Sequence, residues 1–299
     1  MFQHILDQSR LHERGLVRFL RDLVAIKSLS AQEGDVIRRV EQEMLACGYD
    51  EVRIDAMGNI LGRIGSGPRV LALDAHVDTV DVGNPANWSV DPFEGAERDG
   101  MVYGRGACDM KGALASIVYG GRIVKELGLG GDVTLWVVGS VQEEDCDGLC
   151  WQFILNEDGL SPEAVVIAEP TNLAIYRGHR GRMEIEVRTQ GVSCHGSAPE
   201  RGVNAVYRMA PIIADIERLN GRLGGEPFLG KGTVTIAEIR STSPSLCAVA
   251  DSATIHLDRR LAADDTLESA VGEIAAMQGV QAHGAEVVVL EYALPSWRG

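Results

Sequence analysis

Val70-Leu71-Ala72-Leu73-Asp74-Ala75-His76-Val77-Asp78 decides the fold. Its first four residues are apolar without alternation, the pattern of a strand covered on both faces, and the stretch ends in a histidine and an aspartate. Val133–Val138 and Ala164–Ala168 are two more runs of this kind. Among them, Ala113–Leu127 carries apolar residues at helical spacing and stops at Gly128. Strand, helix, strand, helix, strand is the alternation of an open α/β sheet. Upstream, Leu11, Leu16, Leu20, Leu23 and Val24 predict one helix, and Val36, Val40 and Met44 a second beyond the Ser28–Gly34 break. Val52–Asp55 and Ile60–Ile64 flank the turn signal Met57-Gly58-Asn59, which predicts a hairpin.

The pattern changes after Arg177-Gly178-His179-Arg180-Gly181. Met183, Ile185 and Val187 alternate with Glu184, Glu186 and Arg188, which predicts a strand with one wet face. A helix over Val203–Leu219, strands near Thr233–Ile239 and Ala253–Leu257, a helix near Thr266–Met277 and a strand near Glu286–Leu290 follow. This β-α-β-β-α-β order predicts a separate ferredoxin-like unit.

Hydrophobic residues make up 45% of the 299 and charged residues 24%, as in globular proteins that bury a core. Forty-three acidic against 28 basic residues give a net charge of −15. Such a field repels phosphate backbones and anionic lipid, so nucleic acid and membrane are excluded as expected partners. No apolar run reaches the ~20 residues of a membrane helix. The start, Met1-Phe2-Gln3-His4-Ile5, lacks the pattern of a secretory signal. The six cysteines show no disulfide-framework spacing, and a cytoplasmic location is the expectation.

Polar, carboxylate-bearing motifs follow the strands: His76-Val77-Asp78, Gly106-Ala107-Cys108-Asp109-Met110-Lys111-Gly112, Glu143-Glu144 and Glu169-Pro170-Thr171. Open α/β sheets place sites outside the carboxyl ends of their strands. In an extended segment residues i and i+2 point the same way, so Asp78 is expected to reach the ring nitrogen of His76 that faces away from a metal. Asp109 lies in a glycine-rich loop that opens a helix, near its positive end. Glu143-Glu144 follows a strand, and on the extended chain expected there its two carboxylates point in opposite directions. One can then ligate a metal while the other faces a bound water, as metal-assisted hydrolysis requires.

The stretches LALDAHVDTV, VYGRGACDMKGALAS, GSVQEEDCDG, IAEPT and VSCHGSAPERGVNA, in this order, resemble the M20 metallopeptidase family, which includes acetylornithine deacetylase, succinyl-diaminopimelate desuccinylase, aminoacylase and glutamate-releasing carboxypeptidases. The resemblance implies a zinc-peptidase-like open mixed sheet with helices on both faces, carrying an inserted ferredoxin-like α+β lid. Residues 1–179 would form the catalytic part, 180–291 the lid and 292–299 the start of a return to the catalytic domain. It further implies two zinc ions, with cobalt or manganese as substitutes. Asp109 would bridge them, His76 and Glu169 would bind one and Glu144 the other. Glu143 would be the general base and Asp78 the partner of His76. His195 and Arg259 would contact substrate from the lid, through which such enzymes usually form homodimers.

The implied reaction is hydrolysis of the amide bond of N-acyl amino acids or small peptides with a free carboxylate. Family members usually continue after the lid with a segment carrying the second metal's remaining histidine. This chain stops at Trp297-Arg298-Gly299, so low stability and weak or absent activity are expected of the 299-residue form. Two alternatives are a non-catalytic homologue that acts only as a dimerisation module, and a hydrolase of ureido or amidine catabolites. Cys247 stands where many relatives carry a substrate-contacting asparagine, which puts the usual substrate set in doubt.

Overall fold

The computed structural model describes residues 1–146, 148–293 and 295–297. Asp147 of the GSVQEEDCDG motif, and Leu294, Arg298 and Gly299 of the 292–299 segment, lie outside the described residues. The chain divides into two compact units, Met1–Leu173 and Ala174–Gly299.

The first unit starts with helices α1 (Phe2–Ala25) and α2 (Gly34–Ala46) and the strands β1 (Glu51–Ile54), β2 (Ile60–Ile64) and β3 (Arg69–His76). A small hairpin, β4 (Ala96–Arg98) and β5 (Met101–Tyr103), precedes α3 (Lys111–Glu126), β6 (Val133–Ser140), α4 (Glu143–Cys146), α5 (Leu149–Asn156) and β7 (Ala164–Ile167). The main sheet runs β1-β2-β6-β3-β7. β6 and β7 lie parallel to β3, whereas β1 and β2 are antiparallel additions at one side. The expected hairpin is held by the Asp55 carboxylate, which accepts from the backbone N–H groups of Met57, Gly58 and Asn59.

One face of the sheet packs Ile60, Ile64, Ala75 and Val137 against Phe19, Leu23, Val40, Met44, Leu114 and Val118 of α1, α2 and α3. The other face packs Leu61, Ala72, Trp136 and Val138 against Ile154 of α5. Helices thus cover both faces of a mixed sheet. At the edge, β7 is exposed along its length, with Val165, Val166 and Ile167 open to solvent.

α1 has no basic residue in its last turn. Its exposed carbonyl end is met instead by Lys111 from the first turn of α3. The fully buried ammonium donates to the carbonyls of Leu23 (2.9 Å) and Ile26 (2.8 Å). A cation there complements the negative end of the helix dipole and satisfies orphan carbonyls.

The second unit contains β8 (Gly178–His179), β9 (Gly181–Gln190), α6 (Ala205–Arg222), the short pair β10 (Gly225–Glu226) and β11 (Gly230–Lys231), β12 (Thr233–Thr242), β13 (Ser252–Leu261), α7 (Leu267–Ala275), α8 (Gln278–His283), β14 (Glu286–Ala293) and β15 (Ser296–Trp297). An antiparallel sheet of order β12-β13-β9-β14 carries the three helices on one face, over a core of Met183, Ile185, Val187, Ile212, Ile255 and Ile274. This is the two-layer arrangement that the β-α-β-β-α-β order implies. Alternation along β13 sends Ile255, Leu257 and Arg259 to the buried side and His256, Asp258 and Arg260 to the other.

Candidate metal centre

Because β3, β6 and β7 are parallel, their carboxyl ends lie at one edge of the sheet. His76 ends β3 directly opposite Ser140, which ends β6. Glu143 and Glu144 open α4 just beyond β6, and Glu169 follows β7. Asp109 sits in the loop before α3, with a cis peptide bond to Met110.

His76 is buried and organises the site. Its Nδ1–H donates to the backbone carbonyl of Asp78 at 2.9 Å, which turns Nε2 toward the carboxylates. Nε2 lies 3.1 Å from Asp109 Oδ1 and 3.9 Å from both Glu143 Oε2 and Glu169 Oε1. Two sets of ligand atoms, His76–Glu143–Glu169 and His76–Asp109–Glu144, each lie within 4.8 Å of one another. One neutral imidazole nitrogen among carboxylate oxygens is a donor set that suits zinc and also accepts manganese or cobalt. The residues present therefore fit a divalent metal. The geometry places Glu143 in one of the triads, beside His76 and Glu169.

Packing carboxylates together costs free energy unless a cation joins them. Burial disfavours a charged His76, but Asp109, Glu143, Asp78 and Glu169 outweigh it and lift the ring to about 9. The hydrogen bond from His76 holds Asp109 below the usual carboxylate range. Burial raises Glu144 and Glu169, and in both cases the negative charge of Asp109 adds to the rise.

Two local expectations are corrected. Glu143-Glu144 is not extended. The pair opens a single helical turn, where adjacent side chains diverge by roughly 100° rather than 180°. Nor does the Asp78 side chain hydrogen-bond the imidazole, since Oδ1 is 3.6 Å from Nδ1. The first amides of a helix lack intrahelical partners, and the fully buried Asp78 carboxylate takes them. Its Oδ1 accepts from Glu143 N–H and its Oδ2 from Glu144 N–H, both at 3.1 Å. Ser30 donates its hydroxyl to Oδ2 at 2.7 Å. Asp78 thus orients the ring through its main chain and anchors the Glu143-Glu144 turn through its side chain. Sequence reading missed Ser30, which lay in what looked like a plain helix break. A serine four residues before the start of the next helix was the available signal.

The two expected substrate contacts lie in the second unit. His195 is exposed, and its Nδ1 accepts from the Ser197 N–H at 3.2 Å, which puts the proton of the neutral ring on Nε2. Arg259 is corrected. It points into the core side of β13, is fully buried, and its guanidinium is held by Asp265 and Glu273 at 3.2 Å each. A fully desolvated arginine with two carboxylates of its own is a structural brace. Neighbouring Arg260 is occupied by Asp258. Within the first unit, a groove of about 400 Å³ lined by Trp88, Tyr103 and Cys108, among others, adjoins Asp109 in the chain.

The sequence pattern of "Peptidase family M20/M25/M40" matches residues 72–288. The uncharacterized protein YgeY of Escherichia coli K12 is 53% identical over 298 residues, covering 100% of this chain and 74% of that protein. A probable succinyl-diaminopimelate desuccinylase of Staphylococcus aureus Mu50 is 34% identical over 205 residues, 65% of this chain and 49% of its own. Among solved structures, human carnosine dipeptidase 1 superposes with a TM-score of 0.77 at 16% identity, over 99% of this chain and 81% of its own, and shows that the fold is shared. From the family match and the extent of identity to YgeY, the chain belongs to peptidase family M20/M25/M40 and is a hydrolase of the metallopeptidase type.

Proposed function

We propose that the protein hydrolyses the amide bond of an N-acyl amino acid or small peptide bearing a free carboxylate, using two zinc ions held by His76, Asp109, Glu144 and Glu169. The observation that carries this reading is the convergence of those four side chains on one sheet edge with Glu143 beside them. The names of two similar proteins, a desuccinylase and a dipeptidase, denote cleavage of amide linkages and support the bond class. Bound metal would lower the pKa of an attacking water and polarise the scissile carbonyl.

The protein's own groups do the rest. Glu143 takes the water's proton on its carboxylate and passes it to the leaving nitrogen. Asp78 holds the backbone beneath Glu143 and fixes the ring of His76, so that base and ligands keep their geometry. His195 Nε2–H, from the second unit, is a donor suited to a substrate oxygen. The lid sheet is the proposed homodimer contact, and a cytoplasmic setting matches the free thiols. Among the described residues, no helix is long and apolar enough to cross a membrane.

Elemental analysis after zinc loading, alongside a panel of N-acetyl and N-succinyl amino acids, dipeptides and carbamoyl amino acids, tests this reading. Release of free amine from the first three classes is expected, and His76→Ala should lose both metal and turnover. Absence of bound metal in the wild type, or cleavage of the carbamoyl compounds alone, would sink it.

A further inference from the structure

Glu33 is a buried carboxylate that the chemistry above does not use. It sits in the loop between α1 and α2, far from the centre in sequence. Its Oε1 accepts two backbone N–H groups, from Ala31 at 2.9 Å and from Gln142 at 3.0 Å. Both donors are non-glycine residues in the left-handed region, Ala31 at φ 62° and Gln142 at φ 57°. That conformation costs free energy for a residue with a Cβ and persists only where surroundings enforce it. Gln142 immediately precedes Glu143.

Glu33 and Asp78 together therefore hold three consecutive amides. Gln142 N–H goes to Glu33, Glu143 N–H to one oxygen of Asp78 and Glu144 N–H to the other. Ser30, three residues before Glu33, donates to Asp78 and ties the same loop to the second clamp. Asn59 adds a fourth contact by accepting from Val141 N–H at 3.0 Å. A one-turn helix cannot fix its own direction, because it has too few internal hydrogen bonds. Its aim is set from outside.

We infer that Glu33 is a positioning residue: by pinning the left-handed turn at Gln142 it aims Glu143 and Glu144 into the centre. This rests on the reading of Glu143 as base and Glu144 as ligand. The Ser28–Glu33 loop thereby becomes part of the catalytic apparatus without touching metal or substrate.

Amide hydrogen exchange on the metal-free protein tests the clamp independently of activity. In Glu33→Ala, exchange at Gln142, Glu143 and Glu144 is expected to rise about tenfold or more, the scale of one lost buried hydrogen bond to a charged group, while amides of Lys111–Glu126 hold their protection. On the zinc-loaded protein, kcat should fall about tenfold with KM within about twofold, and Glu33→Gln, which keeps the acceptor oxygen, should recover most of that loss. Adding Gln142→Gly to Glu33→Ala should recover part of it too, since glycine adopts the left-handed turn at little cost. An even rise of exchange across Lys111–Glu126, or no recovery from either glutamine or glycine, overturns the inference. If the wild type cleaves no amide, the proposed function falls, and the exchange comparison alone decides the clamp.

Discussion

Glu143 and Glu144 leave one helical turn in different directions, and in the proposed mechanism that divergence would separate a proton-transfer role from a ligand role within a single dipeptide. Glu143→Gln keeps the size and the backbone hydrogen bond to Asp78 but cannot take a proton. Turnover is expected to drop by about 10²–10⁴-fold, with metal content per chain unchanged by elemental analysis. Loss of metal together with activity would assign Glu143 to the ligand set. Which residues to suspect was legible in the sequence, because His76, Glu143 and Glu169 all lie at or just past the ends of strands that read as apolar runs. What each one does was not. Asp78 finds its amide donors 65 and 66 positions away in the chain, and no local pattern announces a hydrogen bond of that span. Arg259 was misjudged for a related reason: a pair of arginines on a strand shows that they face opposite ways, but not which face is buried.

At the level of elements, the long pieces could be read from periodicity, and the short ones could not. α3 and β3 carry enough apolar repeats to be recognised, whereas α4 has four residues, too few to show a period of 3.6. α8 was likewise missed, because six residues starting at Gln278 hold little apolar signal. Helix-to-sheet packing around α3 depends on a missing side chain. A Cβ built on Gly121 would come within 2.3 Å of the Tyr49 hydroxyl and 2.9 Å of Ile64 Cδ1. Tyr49 cannot swing away freely, since its hydroxyl donates to the Val118 carbonyl at 2.9 Å. Gly121→Ala is therefore expected to cost about 1–3 kcal/mol, measured as a lower urea midpoint, despite alanine's better helix propensity. Cys47, at the end of α2, is pushed up to about 11 by burial, with Glu43 adding to the rise. A thiol raised in the folded state contributes stability that is intact below its ordinary value near 9 and is lost as pH climbs from there toward 11. The urea midpoint should fall across that window in the wild type and fall less in Cys47→Ala. At neutral pH, exposed Cys108 should react with iodoacetamide well before Cys47.

Over the whole molecule, the two units have separate hydrophobic cores, and every proposed metal ligand belongs to the first. A ligand that binds only the folded state stabilises it by about 2.7 kcal/mol at a hundred times its Kd. Chelation with EDTA should then raise amide exchange along Lys111–Glu126 by up to about a hundredfold, and leave Ala205–Arg222 close to its metal-loaded rate. Equal effects in both helices would show that the second unit also senses the ion. The buried ammonium of Lys111 links the first helix to the loop that presents Asp109, two residues earlier in the chain. The amino-terminal arm is thus tied by this cation, as well as by apolar packing, to the loop that carries Asp109. Trimming the opening segment back past Ile26, as an engineer might do to shorten an expression clone, would take both carbonyls from the Lys111 ammonium and loosen the loop that carries the proposed metal ligand Asp109.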